Sequence, residues 1–248
     1  MSVRSPGLFV SLTLMAAPLL PGCESSDVGA NDSGDAALVG RDAGAVTADG
    51  GPGDIGDIGD TPSAPNPFAD RVVSFTPGAN AGFGQDRLPE VVLGPPYGAG
   101  ASAGSTDVLS LGNGGCVVLE FTDLEVVDRD GVDLLVFENP WGGYFEPGVV
   151  SLSADGAAWT TFPCATGDPA GAFPGCAGTQ PVLSSPDNGL SATDPSVAGG
   201  DGYDLADVGL ASARFVRVCD AGVQHYGGIS GGFDLDAVAI VNGASIQR

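Results

Sequence analysis

The sequence predicts an all-β domain, a sandwich or barrel, over residues 69–248. Three observations carry this. Short β-rich runs recur along the segment, Gly, Pro, Asn and Asp punctuate nearly every gap, and no stretch carries a long helical apolar stripe. The runs are "RVVSF" (71–75), "EVVLG" (90–94), "DVLSL" (107–111), "CVVLEF" (116–121), "DLLVFEN" (133–139), "VVSLS" (149–153), "AWTTF" (158–162), "ARFVRVC" (213–219) and "DLDAVAIVN" (234–242). At most "DLADVGL" (204–210) makes a helical turn or two. A domain of this size buries ~70% of its extended-chain surface, enough for a core of its own.

Each run has a local justification. "SLSADGAAW" (151–159) alternates Leu152 with serines, turns at Asp155-Gly156 and presents Trp159, the large residue a returning strand would bury. In "ARFVRV" (213–218), Phe215 and Arg217 share one face while Val216 and Val218 share the other. "AVAIVN" after Asp234 and Asp236 is apolar on both faces. The Gly- and Pro-rich loop from about 163 to 200 is expected to cover one end of the sandwich.

Two segments precede the domain. Residues 1–22 read as a signal: Arg4 precedes an apolar run from Leu8 to Leu20, too short to span a bilayer as a helix. Residues 23–68 read as a disordered tether. Its nine acids and one arginine give −8, and almost no large apolar residue interrupts Gly, Ala, Asp, Ser and Pro. As a flexible coil it reaches roughly 35–40 Å. The signal ends in "LPGC", which resembles the bacterial lipobox. That resemblance implies a diacylglycerol thioether on Cys23, a membrane lipid anchor and a place in the bacterial cell envelope with the domain extracytoplasmic. The alternative is an ordinary secretory signal with an incidental cysteine.

The formal charge of −23, with eight arginines and no lysine, repels nucleic acid and anionic lipid head groups. It favours cations. Beyond Cys23 the chain has Cys116, Cys164, Cys176 and Cys219, an even count that points to disulfides in an oxidising compartment. Cys164 and Cys176 close the shortest loop, so they are expected to pair. Cys116 and Cys219 then remain, both in strand-like runs. None has zinc-ligand spacing to another.

The S-x-D-G-x-x-W hairpin at 153–159 and the A-R-F-V-R-V strand resemble discoidin-like, galactose-binding-type β-sandwiches. The blocks "DVLSLG", "LVFENP" and "FDLDAV" are also similar to those of bacterial cell-surface lipoproteins. The first resemblance implies a jelly-roll-like sandwich of eight strands, frequent glycan binding and often a structural calcium ion. The second implies a surface location.

The residues supply two site hypotheses. "DRDGVDLLVFEN" (128–139) crowds Asp128, Asp130 and Asp133 around Gly131, so a tight turn can converge hard oxygen ligands on calcium. Glu138, Asp234 and Asp236 are candidates for the remaining positions. The alternatives are a solvated turn for the first three and an arginine partner, Arg214 or Arg217, for the last two. Second, "NPWGGYFEPG" (139–148) and "QHYGG" (224–228) place Trp141, Tyr144 and Tyr226 in loops, where they can stack on a sugar; the alternative is that Trp141 and Phe145 cap the end of the core. Exposure of Trp141 and Tyr226 on one face favours ligand binding, and burial of both favours a structural role. "GISGG" (228–232) matches G-x-S-x-G, but the motif needs a strand before Ser230, a helix after it and a later histidine, and His225 precedes it. No pair of carboxylates is singled out for glycoside hydrolysis. The expectation is therefore a membrane-anchored binding module for glycan or another surface ligand, not an enzyme. The alternative is a structural or adhesive envelope protein with protein partners and no small ligand.

Overall fold

Apolar alternation builds the larger layer. The computed structural model describes residues 65–223 and 227–247. In it β1 (Arg71–Thr76), β3 (Cys116–Glu120), β10 (Phe215–Asp220), β6 (Gly148–Ser153) and β7 (Thr160–Thr161) form an antiparallel sheet in the order β1-β3-β10-β6-β7. Val117 and Leu119, Val216 and Val218, and Val150 and Leu152 all point into the core. The intervening Phe215, Arg217 and Cys219 lie half-buried on the other face, as the period of two requires.

Facing this sheet are shorter ones. β5 (Leu134–Phe137) sits between β12 (Ala237–Ile240) and β8 (Asp201–Tyr203); β4 (Leu124–Val127) sits between β13 (Gly243–Ser245) and β9 (Ser212–Ala213). β2 (Leu109–Ser110) pairs with β11 (Asp234–Leu235). The result is an all-β sandwich. Leu134, Val136, Val238 and Ile240 meet the large sheet, whereas Leu135, Phe137, Ala237 and Ala239 form a second cluster with Val182 and Ala198. Thus β5 and β12 are buried on both faces, which is why their runs lack polar alternation.

The loop after β7 covers the outer face of the β12–β5–β8 sheet rather than an end of the sandwich. The cause is that second apolar face, which needs a partner. Cys164–Cys176 is bridged within this loop, as expected. Cys116 and Cys219 are directly opposed in the β3–β10 register and are bridged too.

Other expectations are corrected. "EVVLG" is not a strand: Glu90–Val92 form a single 3-10 turn. One turn buries both Val91 and Val92, where a strand would bury alternate residues. Trp159 is not a core residue. It lies half-buried, with the Arg217 guanidinium 4.5 Å above its ring. The "ARFVRV" strand is broken at Arg214, so Ala213 pairs with β4 while Phe215 pairs with β3 and β6. "DLADVGL" does make a 3-10 turn, at Leu205–Val208. Packing begins before residue 69, since Pro67 accepts from Ile240 N at 2.7 Å and Phe68 bridges Ala239.

Candidate functional site

A Gly-Gly turn shapes the site. After Glu138 at the end of β5, Trp141-Gly142-Gly143-Tyr144 reverses the chain, with φ of 59° and 85° at the two glycines and Tyr144 N donating to Trp141 O at 2.9 Å. Two positive φ values in a two-residue loop make a tight antiparallel reversal that side-chain-bearing residues resist. The reversal returns Glu146 beside Glu138 just before β6. Asp234 arrives from the other direction, at the start of β11 against Ser110 of β2.

Carboxylate oxygens of Glu138, Glu146 and Asp234 lie within 4.8 Å of one another. Glu138 is 1% exposed and Asp234 6%. Burial, then the neighbouring Asp234 and Glu146 charges, push the Glu138 carboxyl well above the usual range. Burial, then Asp234 and Asp220, push Glu146 up to about 8. Burial pushes Asp234 up to about 6.

The group opens on a cleft of ≈ 720 Å³ lined by residues 102–105, Asn139, Trp141, Tyr144, Glu146, Ser230 and Asp234, among others. Gly104 keeps its far wall close, since a Cβ there would sit 3.1 Å from Trp141 Cδ1. Asn139 Nδ2 ties the two walls by donating to Ser105 O at 2.9 Å. Trp141 is 47% exposed and Tyr144 56%, with ring centroids 5.2 Å apart. Neither caps the core. They form an aromatic shelf at the mouth of an acidic cleft.

The six expected calcium ligands do not converge. Asp128 and Asp133 group with Asp204, whereas Glu138 and Asp234 group with Glu146. Asp130 is exposed and belongs to neither group. Asp236, also in neither group, accepts from Tyr97 N at 3.1 and 3.2 Å, and burial pushes it up to about 7. The expected arginine partners are engaged elsewhere. Arg214 donates to Glu120 at 3.2 Å and Arg217 covers Trp159.

Glu146 and Asp204 were not singled out from sequence. Glu146 carried a signal, because Gly142-Gly143 between two aromatics is a hairpin turn that folds it back towards Glu138. Asp204 carried only its N-cap role, accepting from Ala206 N at 2.9 Å. Ser230 is exposed, and an isolated bridge to Ala81 rather than a strand-turn-helix elbow holds its backbone. Cys23, His225 and Tyr226 lie outside the described residues. Among the described residues, no helix is long and apolar enough to cross a membrane.

No protein-family model matches the chain, and no curated protein matches it.

Proposed function

We propose that the chain is an extracytoplasmic binding module, lipid-anchored to a bacterial envelope membrane through Cys23, whose cleft takes a glycan or a comparable hydroxyl-rich surface ligand. The observation that carries this reading is the exposed Trp141–Tyr144 shelf at the mouth of a polar cleft. A sugar ring has an apolar face that stacks on an aromatic ring and hydroxyls that need polar partners beside it. Asn139, Ser105 and Ser230 line the same cleft and supply such partners. The charge of −23 argues against nucleic acid as the ligand. Lipidation rests on "LPGC" and the acidic segment behind it, which would hold the domain clear of the membrane.

A glycan array probed with the mature chain tests the ligand. Retention that falls about tenfold or more in Trp141→Ala supports the reading. Array binding that is absent, or untouched by Trp141→Ala, overturns it in favour of an adhesive protein with protein partners. Mass spectrometry of the mature N-terminus tests the anchor, with acylated Cys23 expected and an unmodified terminus elsewhere refuting it.

A further inference from the structure

Six buried side-chain nitrogen or oxygen atoms among the described residues lack a hydrogen-bond partner. Three of them, Glu138 Oε2, Glu146 Oε1 and Asp234 Oδ1, belong to the one carboxylate group at the floor of the cleft. A buried acceptor without a donor costs on the order of 1–3 kcal/mol, and more when charged. Three in one place therefore call for a common partner.

Among the described residues, no arginine forms an ion pair with the three. The described ion pairs commit Arg71 and Arg214 to Glu120 and Arg87 to Asp107, and the chain has no lysine. Backbone N–H groups of Asn139 and Asp234 reach Glu138 and that of Gly232 reaches Glu146, but none reaches these three oxygens. The neighbouring Asp220, by contrast, takes Gly114 N at 2.8 Å, Gly222 N at 2.9 Å and Phe233 N at 3.2 Å.

We propose that Glu138, Glu146 and Asp234 form a calcium site whose remaining coordination positions open to the cleft. Oxygens that share one Ca²⁺ at about 2.3–2.6 Å stand at most about 5 Å apart, and these three meet that limit. Three carboxylates supply hard oxygen and more than neutralise a divalent ion. They leave three or more positions for water, backbone carbonyls or the hydroxyls of a cleft ligand. Glu138 directly follows β5, a strand buried on both faces, and Asp234 is fixed by the β11–β2 pairing, so two of the ligands are preorganised. Glu146, half-buried on the loop side, closes the site.

The site is tested without any glycan, so its failure leaves the aromatic-shelf reading standing, and the converse holds. Terbium is titrated into the mature chain with excitation of the tryptophans, since Trp141 lines the same cleft. The expected result is saturable sensitised emission with one ion per chain. Calcium should displace terbium on the order of tenfold more effectively than magnesium, which dehydrates reluctantly. For a dissociation constant of about 100 µM, about 2 mM calcium should raise the Tm by roughly 4–7 °C over EDTA. Glu138→Gln with Asp234→Asn should abolish both signals, and Glu146→Gln, at a half-buried position, keeps the test valid if the double variant misfolds. Asp130→Asn should change neither signal. The proposal is overturned if emission does not saturate, which is also the result for carboxyls that merely share protons. It is equally overturned if the signals survive Glu146→Gln and vanish in Asp128→Asn.

Discussion

Two acidic groups of this domain have the same chemistry and opposite surroundings. In one, Asp133 is fully buried, yet its oxygens accept from Arg129 N at 3.0 Å, Asn242 Nδ2 at 2.9 Å and Leu205 N at 2.9 Å. It staples the 128–132 turn to the segments at 204–205 and 241–242. In the other, Glu138 is as deeply buried but one of its oxygens has no donor, and its companions Glu146 and Asp234 share that lack. A buried carboxylate surrounded by N–H groups is part of the fold. One that keeps an unpartnered oxygen beside two others in the same state, next to a cleft, is a place for something the chain does not supply.

The sharpest way to break this comparison is Asp133→Ala. It strands three donors in the interior, so it should cost roughly 3–5 kcal/mol of stability, measured by denaturant unfolding, and calcium should not restore it. Glu138→Gln should do the opposite. In EDTA the midpoint should hold or rise by up to roughly 1–2 kcal/mol, because a carboxyl whose ionisation burial and the neighbouring Asp234 and Glu146 oppose has become a neutral amide. A loss as large as that of Asp133→Ala would make Glu138 a structural residue and end the distinction.

Trp141→Ala should move the Tm by less than about 2 °C, since the ring stacks on Tyr144 at the surface rather than in the core. Its effect belongs to ligand retention. A large fall in Tm would return Trp141 to the role of a core cap.

The smallest effect should come from Asp155, which is captured by backbone donors but in the open. Ala158 N and Ala157 N donate to it at 2.9 and 2.8 Å, and with Ser153 they hold its carboxyl below the ordinary value of 3.8. Because the folded-state value is depressed, its contribution is complete above about pH 4 and is lost as pH falls through the folded value. Asp155→Ala should therefore lower the Tm slightly at pH 7 and less at pH 2. Equal shifts at both would mean that the turn does not depend on the charge.

Much of the large sheet was legible in the sequence because its strands obey the period of two. β1, β3 and β6 fall within a residue of the runs that announce them, and β10 within two. β4, β8 and β13 were not foreseen, because strands of three or four residues are specified by the partner they pair with rather than by their own pattern. The 128–133 turn illustrates the same limit at the level of the site. Three aspartates around a glycine resemble a calcium loop, but the donors that satisfy Asp133 come from residues 72 and 109 positions away as well as from Arg129.

By itself the sequence determined the class of the fold, the pairing of Cys164 with Cys176, the acidic character of the molecule and the loop that carries Trp141 and Tyr144. Composition, period and loop length act locally, and each leaves its mark in consecutive residues. Only the tertiary structure decided that Cys116 meets Cys219, that Trp141 faces solvent while Trp159 lies under Arg217, and that Glu138, Glu146 and Asp234 form one group in which each keeps an oxygen without a donor. Whether a carboxylate is satisfied depends on which backbone N–H groups point at it, and those are set by the register of strands far apart in the chain.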